Sequence, residues 1–522
     1  DMVKGSLREA TGYTNAYTFR NTLQYTGEYA GKHYISLFAG QEIQERTAYN
    51  SFNYSPVFDE EHRIVGFPEM DGIDGSEINY NALGGTGKSV SKMSSFFANA
   101  SYSYLDKYIL TGALRYDGSD IIGNDNQFTP LWNVGLRLNL HREEFMKRWM
   151  WVDQFAVRGG FGYTGSIDKN ALPFVVMTLG QSVVYDGQTV PTSFSYPNPN
   201  VKWQTKQDMN VGLDLSLFDY RLELGVNYYH NITRDVLDRK ALPYSSGRSE
   251  VTENVADIYN SGWEIDLGVT LLKNKSFQWY AKANIAINDN KVKNTYYKDT
   301  EDLPRATLSN AHQFVENQPV NGWYGYKFAG INPINGAVMT YTGNGEATLD
   351  MSVSGATWPT PSVFYLGNLT PPVVGGFSTS ANWKQLIFSA NFEFKTGHKI
   401  KSFNTFRSLD ARNRHTSEAN RWREPGDITN VPAMSEAFTT YSSYMYDILL
   451  EKGNYLRCSY MTLGYNLKPE WLHKIGFSTA RLSFTAKNLF TISSYSGIDP
   501  ALMGSFGYPN SRKYTITLNV GF

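Results

Sequence analysis

What this sequence lacks narrows it first. It has a single cysteine, Cys458, which excludes an internal disulfide and a thiolate zinc cluster. No apolar run reaches the roughly 18 residues that a membrane-spanning helix needs. Neither charge is in excess: the formal net charge is −1, so the electrostatic basis for nucleic-acid binding is missing. Residues Asp1 to Gly5 lead into polar sequence with no apolar leader core. Either a leader has been removed or this chain begins part-way through a longer product. Disorder is excluded as well, because hydrophobic residues make up 41% of the chain.

Aromatic residues are abundant. The 522 residues include 11 Trp, 36 Tyr and 30 Phe, while charged residues reach only 19%. Mean hydropathy is nevertheless −0.40. A period-two alternation reconciles the two. Met209, Val211, Leu213, Leu215 and Leu217 alternate with small or polar residues, and residues 263–271, 277–288, 388–395 and 514–522 repeat the pattern. Such alternation turns one face to an apolar medium and the other to a polar one. A soluble β-sandwich is one reading, but these segments run longer than the usual sandwich strand of about 5–6 residues. Their polar faces carry Asp214, Glu264, Asp266, Lys282, Glu393 and Lys395, with Arg481 and Glu223 on similar positions. Bulky apolar residues facing out and charges facing in describe a transmembrane barrel with a wet lumen.

The pattern predicts fifteen strands, at 16–29, 33–47, 92–104, 107–117, 129–140, 153–164, 203–217, 221–235, 258–271, 277–288, 373–383, 386–396, 453–468, 480–490 and 513–522. Short connections alternate with long ones, and the largest are 48–91, 165–202, 289–372, 397–452 and 491–512. Outer-membrane barrels show this asymmetry, with tight periplasmic turns and long extracellular loops. The chain therefore reads as all-β, one portion of an antiparallel transmembrane β-barrel. Fifteen strands that begin and end in the same direction cannot close alone, and bare edges in lipid are costly. The remaining strands must come from elsewhere, to a total of about 22 if the barrel is of the plugged-transporter size. Tyr514, Ile516, Leu518, Val520 and Phe522 form an apolar face ending in a terminal aromatic, similar to the C-terminal signal for barrel assembly.

Several segments carry a family resemblance: 108–119 (YILTGALRYDGS), 157–165 (VRGGFGYTG), 198–203 (NPNVKW), 322–331 (GWYGYKFAGI), 453–457 (GNYLR), 487–490 (KNLF) and 507–512 (GYPNSR). In this order and spacing the chain resembles the SusC/RagA-type, TonB-dependent outer-membrane transporters of the Bacteroidetes, from roughly residue 34 to 522. The resemblance implies import of oligosaccharides or peptides across the Gram-negative outer membrane. It implies a SusD-like surface lipoprotein as lid, and TonB, ExbB and ExbD acting through a plug. That family's N-terminal extension, TonB-contacting segment and plug are not visible here. The chain's own share would be the wall, set in lipid and lipopolysaccharide, with the docking loops and part of the cavity. The rival reading is a SusC-like barrel serving as a scaffold in an assembly or secretion complex.

Other signals have simpler explanations. Residues 82–89 (ALGGTGKS) fit a relaxed phosphate-binding loop, but no apolar strand precedes them and no helix follows. They are expected at the tip of an extracellular loop. The eight His are scattered, and Asp117, Asp120 and Asp125 lack EF-hand spacing. No catalytic motif, cofactor or metal site is expected, and the chain is read as no enzyme. Tyr104, Tyr108, Trp132, Trp203, Tyr220, Tyr228 and Trp383, near strand ends, suit an interfacial girdle. Trp323, Tyr324, Tyr326, Trp358, Trp422, Tyr441 and Tyr444 lie inside long loops. They are candidates for substrate or partner contact, or for the loops' own cores.

Overall fold

The computed structural model describes residues 5–59, 64–66, 84–120, 127–166, 176–185, 188–195, 202–241, 245, 250–296, 298–300, 314–349, 362–401, 419–433, 446–472, 476–503 and 507–522. Fifteen strands run in sequence order across one antiparallel sheet. They are β1 (Gly5–Tyr29), β2 (His33–Asp59), β3 (Gly84–Tyr104), β4 (Tyr108–Ser119) and β5 (Phe128–Asn139). Next come β6 (Val152–Ser166), β7 (Gln204–Leu217), β8 (Leu222–Ala241), β9 (Glu250–Lys273) and β10 (Phe277–Lys293). The last five are β11 (Val373–Trp383), β12 (Leu386–Thr396), β13 (Tyr455–Asn466), β14 (Thr479–Ser493) and β15 (Lys513–Gly521). Each strand pairs with its sequence neighbours, and a short piece, Ile64–Gly66, adds to β2. Among the described residues β1 pairs only with β2, and β15 only with β14.

Register shows why the alternation has to hold along every strand. Residues directly opposite each other share a face, so one row can be followed across the sheet. Leu213 opposes Val226, which opposes Ile265, then Ile285, Gly375, Phe394, Leu456 and Ile492. The row one position over runs Asp214, Gly225, Asp266, Asn284, Gly376, Glu393, Arg457 and Thr491. The first row is apolar apart from a glycine; the second contains no apolar residue larger than glycine. A slip of one residue at any pairing would exchange the two.

The short turns use left-handed backbone. Leu105 and Asp106 both have positive φ (54° and 52°), as do Ala30 and Gly31, which is the geometry that continues strand twist through a two-residue hairpin. Phe218, Asp219 and Tyr220 repeat the device over three residues. Near these turns lie Tyr104 and Tyr108, stacked at 6.4 Å, and His33 against Tyr104 at 5.0 Å.

At the other end the strands outrun the sequence expectation. β2 has 27 residues and β1 has 25, where about 9–11 cross a bilayer. Residues 48–59 and 84–91 continue β2 and β3, so Gly84 to Ser89 lie in a strand paired with Ser89 opposite Ala48, not at a loop tip. Most of 236–257 is likewise ladder between β8 and β9. Above the lipid both faces meet water, so alternation fades while backbone pairing continues.

The two faces predict different responses to the same charge. Leu114, outward near the middle of β4, is expected on replacement by Arg to destabilise the folded barrel by about 2–4 kcal/mol. Ser101→Arg, on the inner face of β3, should stay within about 1 kcal/mol. Denaturant titration in bilayers, read by heat-modifiable gel mobility, distinguishes the two.

Candidate functional site

The inner face carries a set of charges built by the register. All seven inner-face residues expected from sequence, Asp214, Glu264, Asp266, Lys282, Glu393, Lys395 and Arg481, alternate with the apolar outward rows. Asp214 sits between two arginines, Arg137 Nη1 at 3.0 Å and Arg158 Nε at 3.5 Å, contributed by β5 and β6. Lys282 approaches Asp266 at 3.9 Å, and Arg481 donates to Asn466 at 2.7 Å. Glu264 accepts from Asn227 at 3.2 Å. A second group was not singled out from sequence. Glu42 is almost fully buried and bonds Arg20, while Arg115 lies 3.8 Å from it and binds Asp117 at 2.6 Å and Ser95 at 2.9 Å. The parity of β1 and β4 marks Arg20 and Arg115 as inward, so extending the same-face rule to every charged strand residue would have found them. This group borders a lumenal recess of about 420 Å³ that Phe97, Asn99 and Asn133 also line.

Above the rim, two long connections fold together. Gly322–Gly325 pairs with Phe364–Asn368, and Phe328–Ile331, Val338–Tyr341 and Ala347–Leu349 make a three-stranded sheet. The second connection joins through a parallel bridge between Tyr326 and Tyr446, and the Asp447 carboxylate accepts from the Phe328 N–H at 2.9 Å. Tyr324, Tyr326, Ile331, Val338, Val363, Val431, Tyr446 and Leu449 form a common apolar core. Burial raises the Tyr365 phenol to about 12 and that of Tyr324 further, so both stay neutral.

This placement divides the loop aromatics. Tyr324 and Tyr326 expose 1% and 0% of their surface, so both rings belong to the knob's interior. Trp323 donates its indole N–H to the Lys399 carbonyl at 2.8 Å and packs on Leu366 and Leu450. Trp422 donates to the Pro333 carbonyl at 3.1 Å and remains partly exposed. Trp358, Tyr441 and Tyr444 lie outside the described residues. Alternation carries no signal in a loop, so sequence alone does not separate a core ring from a displayed one. Asp117 is bound to Arg115, and Asp120 accepts from the Lys92 N–H at 3.0 Å; Asp125 is outside the described residues.

The last long connection is pinned by charge. Arg457, on the inner face of β13, is 4% exposed and reaches Asp499 at 2.5 Å, Thr491 at 3.0 Å and Glu393 at 3.8 Å. Asp499 in turn accepts from the Ala501 and Asn510 N–H groups. Nearby, a side chain at Gly453 would come within 2.4 Å of the buried His398 imidazole, so the GNYLR segment needs glycine at its first position. The terminal apolar residues lie along β15, where Tyr514, Ile516, Leu518 and Val520 face outward and Phe522 meets Phe477 edge-on at 5.1 Å.

Two substitutions test this arrangement. Tyr446→Ala should cost the knob about 3–5 kcal/mol, the usual loss for a buried aromatic. Limited proteolysis should then cut within 314–372 or 419–452 while the barrel's heat-modifiability is unchanged. Asp499→Ala strands the Arg457 charge and should cost about 3–5 kcal/mol, whereas replacing both partners by leucine should recover much of that. Thermal melts of the three variants in one detergent check the order.

Comparison with known proteins agrees with this architecture. The family described as TonB dependent receptor-like, beta-barrel, matches residues 4–393. TonB-dependent receptor P3 of Formosa agariphila is 28% identical, covering 96% of this chain and 52% of the relative. TonB-dependent receptor SusC of Bacteroides thetaiotaomicron is 23% identical over 82% of this chain and 43% of its own length. The RagAB peptide importer in its open-open state superposes with a TM-score of 0.80 at 24% identity, covering 99% of this chain and 56% of that one. The chain thus spans about half the length of the curated relatives it matches. It belongs to the TonB-dependent receptor-like β-barrel family, whose SusC and RagA branch is seated in the Gram-negative outer membrane.

Proposed function

We propose that this chain forms most of the wall of an outer-membrane importer that takes up oligosaccharides or peptides with energy delivered through TonB. The observation that carries this reading is the two-faced sheet, apolar outward and charged inward, surmounted by a folded knob built from two long connections. A wall of this kind encloses a polar path, and the knob offers a surface for a lid. Further strands of the same transporter join β1 and β15 and complete the barrel. A plug fills the lumen, held by the mixed charges of the inner face, and displacement through TonB, ExbB and ExbD opens the path. A SusD-like lipoprotein docks above the knob and closes on captured substrate. The relative titled a peptide importer supports the peptide arm, and the relative named SusC supports the shared family mechanism.

Deletion of the gene is expected to abolish growth on one class of oligosaccharide or peptide as sole nutrient, and a copy lacking the TonB-contacting segment should fail to restore it. Uptake assays with labelled substrates check this. Unchanged uptake with disturbed envelope assembly would instead identify the barrel as a scaffold.

A further inference from the structure

The ladder between β10 and β11 breaks toward the long connections. The two strands pair from Phe277 opposite Trp383 to Ile287 opposite Val373, and the Asn288 N–H then donates to the Pro372 carbonyl at 2.8 Å. Further along, the same edge of β10 has a different partner. The Val292 N–H donates to the Gln318 carbonyl at 2.8 Å, and the Val292 carbonyl accepts from the Asn317 N–H at 2.9 Å. Alternate residues of a strand turn their main-chain groups to the same edge. Asn290, midway between, therefore aims its N–H and C=O into the gap, and among the described residues neither has a partner. Proline explains the break: Pro319 on one side and Pro371 and Pro372 on the other have no N–H to donate. The Val320 N–H goes instead to the Asn290 side chain, at 2.9 Å.

A cavity of about 550 Å³ occupies the break, and its lining is mostly carboxamide: Asn288, Asn290, Asn317, Gln318, Asn321 and Asn368. Asn288 and Asn290 follow Asn284 on the inner face of β10, and Asn368 comes from the knob, so the cavity lies where wall and knob meet. Its amides are held in place. Asn288 accepts from the Tyr229 hydroxyl at 2.7 Å, Asn368 accepts from the Tyr365 hydroxyl at 2.7 Å, and Asn321 donates to Thr370 at 3.1 Å. The two charged residues of the lining, Asp289 and Lys291, neutralise each other at 2.8 Å. Its one aromatic ring, Tyr365, packs against the knob's core, so stacking on a sugar is not what this lining offers.

We propose that this break is a peptide subsite. One residue of an extended substrate peptide fills the gap, accepting from the Asn290 N–H and donating to the Asn290 carbonyl as a strand partner would. Such an exchange needs a donor and an acceptor at a fixed separation, which every peptide residue but proline presents. The surrounding carboxamides carry both donors and acceptors and take the flanking peptide groups. A neutral lining that reads main chain leaves the choice of substrate side chains broad. The proposal rests on the importer reading and narrows it to peptides.

Calorimetric titration of the full-length transporter in detergent tests this, with capped tetraalanine, its fully N-methylated counterpart and maltohexaose as probes. Tetraalanine is expected to bind about tenfold or more tightly than the N-methylated peptide, which keeps the carbonyls and lacks the donors. Hydrogen–deuterium exchange should show the Asn290 amide protected only when tetraalanine is present. Asn321→Trp, which fills the cavity, should weaken tetraalanine by about tenfold or more, with Asn321→Ala within about threefold of wild type. Heat-modifiable mobility confirms folding of both variants. Equal affinity for the two peptides, an Asn290 amide that stays unprotected, or binding of maltohexaose in place of tetraalanine would overturn the subsite. These measurements need neither TonB nor an energised membrane. Absent uptake with normal peptide binding therefore sinks the import reading, whereas intact peptide uptake with an unprotected Asn290 sinks this subsite alone.

Discussion

Backbone hydrogen bonding in a solvent that offers none is the constraint on which this structure depends. Inside lipid an unpaired peptide group costs several kcal/mol, so every strand must have neighbours on both sides. The antiparallel ladder from β1 to β15 meets that demand for all interior strands. The same ladder then dictates where side chains go. Once Leu213 faces outward, register carries the choice through Val226, Ile265, Ile285 and onward to Ile492, and it carries Asp214 to Glu393 and Arg457 on the other face. Lipid thus selects the outward rows, and the inward rows are free to hold charge.

The same physics explains how much could be read from the residues alone. All fifteen wall strands were legible, because within the membrane the two faces meet opposite media and the residues alternate accordingly. That Asp214, Asp266 and Glu393 share one row, opposite the apolar one, follows from the same alternation. Strand ends toward the long connections were not legible: at Tyr49 to Asn53 and Gly84 to Ser89 both faces meet water, and pairing continues without a hydropathy signature. Loop aromatics were legible only as a class. Trp422 and Tyr446 are both aromatic and both in the second long connection, yet Tyr446 is a core residue and Trp422 is partly displayed. Nothing in their neighbouring letters says which contact partner the other loop will supply.

The mixed signs of the inner face also have a physical role. Asp214 between Arg137 and Arg158, and Glu42 between Arg20 and Arg115, are charges matched across strands rather than along one. The Asp214 pairs sit at intermediate exposure, where they contribute little net stability by themselves, whereas Glu42 is almost fully buried and depends on its arginine partner. Their effect on the inner face is different: each keeps donors and acceptors presented on the polar side of the wall.

Arg457 has one more consequence. Its three partners come from β12, from β14 and from the connection after β14, so its charge is satisfied only when those elements have all met in one alignment. A hairpin shifted by one residue turns the guanidinium toward lipid, and one shifted by two leaves it buried without Asp499. Either error is penalised far more heavily than the correct alignment is rewarded. The residue therefore acts as a proofreader of the pairing from β12 to β14: its charge tolerates one alignment and rejects the neighbouring ones.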